Sequence, residues 1–273
     1  MARPWALSAL LGAAAVAAAV GVSGGAAATL NGTTVRMATP REVAGPFFID
    51  LRKIRRDVTN GRPGVPLYLN LKVLGNCKPD GSGCRPKADA LVDIWHADSR
   101  GVYSGLPNEG VNATGRDFFR GALLTRPDGS ATFRTIVPGW YWTRLAHVHL
   151  KVRGAPRPPR GSPAGRRPDD GFVTQLFFPP PFLRRVYATG AYAARSARRG
   201  DGGERDAYTA TVGTDFELRG DGRKFRALLL APRPATEGWL RANAFAVPPR
   251  WRLRQGKGGE LGYVASYTLR LRW

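Results

Sequence analysis

Residues 144–154 read "RLAHVHLKVRG". Ala146, Val148, Leu150 and Val152 alternate with His147, His149 and Lys151. Successive side chains of a strand point to opposite sides, so a period of two marks this stretch as β. The apolar row is a core face. The two histidines lie off that row and share the other side, their bases roughly 7 Å apart. Imidazoles so placed can converge on one metal ion; the other reading is two polar residues on a solvated face. The chain has three histidines in 273 residues, and this strand holds two of them.

Strand patterns continue outward from it. "LYLNLKVLG" (67–75) sets Leu67, Leu69, Leu71 and Val73 on one face. "ALVDIWHAD" (90–98) is a second strand. "FRGALLTRPDGSATFRTIV" (119–137) reads as a hairpin turning at Pro127-Asp128-Gly129, because aspartate before glycine favours a tight turn. "FVTQLFF" (172–178), "RKFRALLLA" (223–231) and "GYVASYTLRLRW" (262–273) add further strand-like runs. A helical signal is confined to 182–199, where Gly190 interrupts it. Residues 154–170 and 232–259 are long irregular stretches, and loops of this length on a β scaffold tend to be functional or mobile. The pattern predicts an all-β fold, a single antiparallel β-sandwich or barrel-like domain with long loops over residues 29–273.

Residues 1–28 are set apart. After Arg3, "ALSALLGAAAVAAAVGV" (6–22) is apolar and uncharged, and "SGGAAAT" offers small residues for cleavage near Ala28. This is the layout of a secretory signal peptide; an uncleaved membrane anchor is the alternative. The expectation is a secreted or extracytoplasmic protein with no stable membrane span after cleavage. Export makes the two cysteines informative. Cys77 and Cys84 flank the turn-forming string "KPDGSG", so an oxidising compartment allows a bridge closing that loop; two reduced structural cysteines are the alternative.

Lysine and arginine number 42 against 20 acids, a formal net charge of +22. The excess is mostly arginine, scattered rather than blocked, so no nucleic-acid partner is expected. Association with anionic or phenolic polymers suits this charge, and a basic β-sandwich module binding such a polymer or an envelope surface without turnover is the alternative function. The apolar fraction of 43% supports a sizeable core.

Tyr141 stands on a Pro-Gly turn six residues before His147. A phenol ionises near pH 10 and binds metal at neutral pH only where a hard cation displaces its proton. Imidazole plus phenolate, with no thiolate at hand, points to iron(III) before zinc or copper. Tyr103, after a strand end and the turn-like "DSRG", offers a second phenolate.

At this point the sequence resembles a known family. "TPREVAGPFF" (39–48), "CRPKADALVDIWHADSRGVYSG" (84–105), "FFRGALLTRPDGSATFRTIVPGWYWTRLAHVHLKV" (118–152) and "TQLFFP" (174–179) look like the intradiol ring-cleavage dioxygenases, most of all the smaller secreted type akin to protocatechuate 3,4-dioxygenase chains. The resemblance implies a non-haem Fe(III) held by Tyr103, Tyr141, His147 and His149. It implies that Tyr141 is an axial ligand that leaves when substrate binds, and that Arg144 stabilises negative charge on the bound catechol. It implies that Gln175 lines the site. It also implies a catecholic substrate and O2, a cut between the two hydroxyl-bearing carbons, and a muconate-type diacid. "GPFF" stands where relatives often carry tyrosines, and Trp142 where proline is common. His96 is not a ligand in this scheme; it is expected to be a hydrogen-bonded structural histidine, and Trp95 is expected to be core.

Overall fold

The computed structural model describes residues 28–30, 33–35, 37–108, 110–141, 144–154, 171–192, 215, 217–247 and 261–272. The leader expectation, Trp142, most of the 154–170 loop and the second half of the 232–259 stretch lie outside these residues.

Among the described residues thirteen strands follow in chain order: β1 (Ala28–Leu30), β2 (Thr33–Val35), β3 (Pro66–Gly75), β4 (Arg85–Pro86), β5 (Leu91–Trp95), β6 (Pro107–Asn108), β7 (Val111–Asn112), β8 (Arg120–Leu124), β9 (Ser130–Ile136), β10 (His147–Arg153), β11 (Phe172–Phe177), β12 (Arg233–Pro234) and β13 (Tyr263–Arg270). Two sheets carry the fold. One is four-stranded in the order β11-β10-β5-β8, and all its pairs are antiparallel. The other is built on β3, which pairs with β9 antiparallel and with β13 in parallel, β12 and β4 adding short edges. The fold is therefore all-β and sandwich-like, with open sheets and one parallel pair inside an otherwise antiparallel arrangement.

The core lies where the two sheets face each other. Leu67, Leu69, Leu71 and Val73 of β3, Phe133 of β9 and Leu269 of β13 meet Val92 and Ile94 of β5, Val148, Leu150 and Val152 of β10, and Leu176 of β11. The alternation in the sequence is thus the alternation of the sandwich. Each fully buried Leu or Val contributes roughly 1.5–3 kcal/mol of transfer free energy.

Two expectations change. The stretch 119–137 is not a hairpin: β8 pairs with β5 and β9 pairs with β3, in different sheets. The Asp128-Gly129 corner is present, closed by Arg126 N–H to Ser130 O at 2.9 Å. Gly129 has φ 80°, and a Cβ there would lie 2.4 Å from the Val73 carbonyl oxygen. The corner docks on β3 rather than folding one strand back on the other. The seven-residue β9 ladder on β3 replaces the ladder β9 would have made with β8. Residues 223–231 are not a strand either. Asp221 accepts a hydrogen bond from Lys224 N–H at 2.8 Å and starts helix α2 (Gly222–Ala227), after α1 (Pro180–Tyr187) and before α3 (Glu237–Ala242). An aspartate cap followed by good helix formers outweighs the apolar "ALLL" behind them. Among the described residues of 182–199 the helical signal covers most of α1 and one 3₁₀ turn at Gly190–Tyr192; residues 193–199 lie outside the described residues.

Cys77 and Cys84 are joined in a disulfide that closes the loop between β3 and β4. Among the described residues no helix is long and apolar enough to cross a membrane.

Candidate functional site

The site lies on the face of the four-stranded sheet that turns away from the core. The register sets one row across all four strands: Gln175 of β11 opposite His149, His149 opposite Trp95, and Trp95 opposite Arg120. Cross-strand neighbours on one face have Cβ atoms about 5 Å apart, so these four side chains are in reach of one another. His147 heads the adjacent row, opposite Phe177. Both histidines are buried, at 2% and 1% exposure, which removes the solvated-face reading.

Water is excluded by the segment before β3. Glu42 N–H donates to Val173 O at 3.0 Å, and the Thr174 hydroxyl donates to Pro40 O at 2.8 Å, so residues 40–42 run along β11. The chain then crosses the site. Gly45, at φ 65°, passes close enough that a Cβ would stand 3.6 Å from His149 Cε1. Phe47 stacks on Tyr103 at 4.3 Å between centroids, and Phe48 meets the Trp95 ring at 4.8 Å. Trp95 in turn lies flat on His149, 4.8 Å away with planes 4° apart. Trp95 is buried as expected, yet it also orients a site histidine.

The four candidate donors come together. His147 Nε2 is 3.0 Å from His149 Nε2, 3.3 Å from Tyr103 Oη and 3.5 Å from Tyr141 Oη. Donors each about 2 Å from a common centre stand roughly 3 Å apart, so the spacing suits four ligands of one cation. His147 Nδ1 faces the Leu145 carbonyl at 2.5 Å, which places its proton there and leaves Nε2 as the free lone pair. Among the described residues no group of three or more His, Cys, Asp or Glu is placed to hold a metal. A cation at this site therefore depends on the phenols.

Burial governs their protonation. It pushes the Tyr103 phenol well above the usual tyrosine range, and Tyr141 beside it adds to the shift. Tyr141 is also raised by burial, with Arg144 opposing. Burial holds both imidazoles well below the usual histidine range, and the Arg144 charge acts in the same direction. The cation-free site thus carries neutral imidazoles and protonated phenols. The two tyrosines differ in setting: Tyr103 is 1% exposed, whereas Tyr141 is only half-buried.

Each loop tyrosine is held locally. Asn108 accepts from Tyr103 N–H at 2.8 Å and donates to Tyr103 O at 2.7 Å. Arg120 donates to Ser104 O from Nε (3.2 Å) and Nη2 (2.7 Å). Asp98 caps the preceding turn through Arg100 N–H and Val102 N–H, at 2.8 and 3.0 Å. At Tyr141 a bridge to Arg144 closes a tight loop. Arg144 and Gln175 are in contact, Arg144 Nη2 donating to Gln175 Oε1, and Arg144 Nη1 stands 3.5 Å from Tyr141 Oη. His96 lies apart from the site as a structural residue. Its Nδ1 faces Ala97 O at 2.8 Å, its Nε2 faces the Thr135 hydroxyl at 2.6 Å, and burial lowers its pKa to about 4.

Comparison with known proteins finds relatives over the part of the chain that carries this constellation. The sequence model of a family described as dioxygenase (Dioxygenase_C) matches residues 43–160, a span holding the four candidate donors. The catechol 1,2-dioxygenase 1 of Acinetobacter lwoffii is 36% identical over 138 residues, 42% of this chain and 42% of that protein. Over this span the chain is similar to the intradiol ring-cleavage dioxygenases. A chlorocatechol 1,2-dioxygenase of Pseudomonas putida is 32% identical over 84 residues, 24% of this chain and 31% of its own length. The matches thus span less than half of either relative. Over a longer stretch, the solved intradiol ring-cleavage dioxygenase from Tetranychus urticae superposes with a TM-score of 0.58 at 21% identity, covering 85% of this chain and 92% of that one. At that identity the likeness is one of fold.

Within this site, sequence reading missed the supports. Asn108 and Arg120 act on the backbone, Asp215 pairs with the Arg144 guanidinium at 3.2 Å, and nothing in their local pattern announces it. Only Asp98, in "DSRG", had a turn signature to find.

Proposed function

We propose that the chain is an exported non-haem iron(III) intradiol dioxygenase that opens catecholic rings with O2 between the two hydroxyl-bearing carbons, giving muconate-type diacids. The observation that carries the proposal is the convergence of Tyr103, Tyr141, His147 and His149 on one buried point. These four residues would hold the ion. Two phenolates balance ferric charge and favour iron(III) over softer divalent metals. Bound there, iron(III) supplies a Lewis-acidic, redox-active centre for a catecholate and O2.

The chain's own residues do the rest. Tyr141, half-buried, would as a phenolate be the base placed to take a catechol proton. Arg144, 3.5 Å from Tyr141 Oη, sets a fixed positive charge where the ring's negative charge develops. Gln175 accepts from Arg144 and donates to Val43 O at 3.1 Å, joining the arginine to the covering segment. Phe47 and Phe48 form an apolar wall that keeps bulk water away and suits an aromatic guest. The Cys77–Cys84 bridge and the leader-like "ALSALLGAAAVAAAVGV" support an oxidising, extracytoplasmic location.

The test is direct. Purified protein loaded with ferric ion should be coloured, and it should consume O2 with a panel of catechols while yielding ring-opened diacids. A colourless protein that takes up no iron, consumes no O2 with any catechol, and is held by polyanions in a salt-dependent way would replace this proposal with the binding-module reading.

A further inference from the structure

Arg144 is buried, and a buried guanidinium has five N–H bonds to satisfy and a charge to balance. Its partner comes from a distant segment. Arg144 Nε donates to Asp215 Oδ2 at 3.2 Å and Oδ1 at 3.3 Å, across 71 residues of sequence. The Asp215 side chain has 0% exposure. It also accepts from Leu145 N–H at 2.8 Å, Glu217 N–H at 2.9 Å and Leu218 N–H at 3.1 Å. Among the described residues, each hydrogen bond to this carboxylate comes from an N–H donor. The far end of the guanidinium reaches Gln175 and Tyr141, and Gln175 reaches Val43. Among the described residues, the hydrogen bonds that link Asp215 to the candidate donors run through Arg144.

We infer that Asp215 is a positioning residue: it fixes the Arg144 fork against Tyr141 and Gln175 and supplies the countercharge that keeps a cation beside the site. The inference rests on the dioxygenase reading, in which Arg144 meets the substrate. A simple turn cap for Glu217 and Leu218 would not need this residue, since asparagine or serine makes the same contacts. A fully buried carboxylate is costly unless it is paired, and here the pair is Arg144. Asparagine at 215 cannot substitute. In either orientation its NH2 faces N–H groups, of Leu145 and Arg144 on one side or of Glu217 and Leu218 on the other.

The experiment is a double-mutant cycle with a binding readout. Asp215→Asn should lower kcat by about tenfold to hundredfold, with a smaller change in KM. The visible band of the ferric protein should keep its position, because no metal donor is altered. The rate constant is taken from single turnover, so that a reduced folded fraction does not enter. In an Arg144→Ala background, adding Asp215→Asn should cost little more. Low-millimolar guanidinium should raise the thermal midpoint of iron-free Arg144→Ala protein above the effect of equal sodium chloride, and should not do so once Asp215→Asn is added. That readout needs neither iron nor turnover. A wild-type protein that cleaves no catechol would defeat the dioxygenase reading, while guanidinium docking would still report on the Asp215 pair. Unchanged kcat in Asp215→Asn, full additivity of the two substitutions, or guanidinium stabilisation indifferent to Asp215 would each overturn the inference. Should Arg144→Ala fail to fold, Arg144→Gln takes its place in the cycle.

Discussion

β10 has two faces, and both are dry. Val148, Leu150 and Val152 are fully buried on one side; His147, His149, Lys151 and Arg153 are at 2%, 1%, 7% and 8% exposure on the other. What replaces water differs. The first face meets the apolar side chains of a single opposing sheet. The second meets phenols, an indole, a guanidinium and backbone groups drawn from at least five separate segments. Hydrophobic burial is non-directional, so the first face needs only volume and pattern. Buried polar atoms each need an aimed partner, so the second face needs particular residues in particular places.

The sharpest way to break this contrast is to remove one aimed atom. Tyr103→Phe keeps the ring stacked on Phe47 and deletes only the hydroxyl that stands 3.3 Å from His147 Nε2. Ring cleavage should fall by about 1,000-fold or more, roughly 4 kcal/mol of barrier, with the ferric colour weakened and the thermal midpoint close to wild type. Oxygen uptake and a visible spectrum decide it; full activity would erase the distinction between the faces. The reverse substitution is Leu150→Ala. It should cost about 3 kcal/mol in denaturant unfolding and leave the single-turnover rate constant nearly unchanged.

Acid separates the faces next. His96 has its folded pKa depressed to about 4 by burial, and His147 and His149 shift in the same direction. A depressed value means that the unfolded chain binds protons first. The stability from neutral burial is complete above the unfolded pKa near 6.5 and is lost as pH falls toward 4. From His96 alone, acidifying the iron-free protein from about pH 7 to about pH 4.5 should remove roughly 2.5 kcal/mol, read as a falling urea midpoint. A flat profile across that window would mean that His96 is wetter than its burial indicates. The smallest effect is expected outside both faces. Replacing Cys77 and Cys84 with serine should cost about 2 kcal/mol, because the loop it closes is short, with no change in kcat.

The contrast also explains what could be read from the chain. The core face was legible because "HVHLKV" repeats every two residues and the physics of a dry sheet has the same period. The four candidate donors were legible through family motifs, since Tyr103 and Tyr141 sit on loops with no periodicity to betray them. Asp215 was not legible. Its meaning depends on a fold that brings it beside Leu145, and no local signal encodes that approach. The 119–137 stretch shows the same limit: Pro127-Asp128-Gly129 announces a corner, but whether its arms stay together depends on the ladders waiting on β3 and β5. At 223–231 the error was local, since Asp221 was available as a cap and the apolar run drew the reading away from it.

One pairing bears on how the molecule comes into being. β3, the middle of its sheet, takes its parallel neighbour from β13, and Asn70 and Ser266 are 196 residues apart. A chain leaving the ribosome exposes Leu67, Leu69 and Leu71 long before Ala265, Tyr267 and Leu269 emerge to flank them. Contacts so distant in sequence form slowly and carry a large loop-closure cost. Until those residues appear, that side of β3 lacks the partner that covers it in the folded sheet.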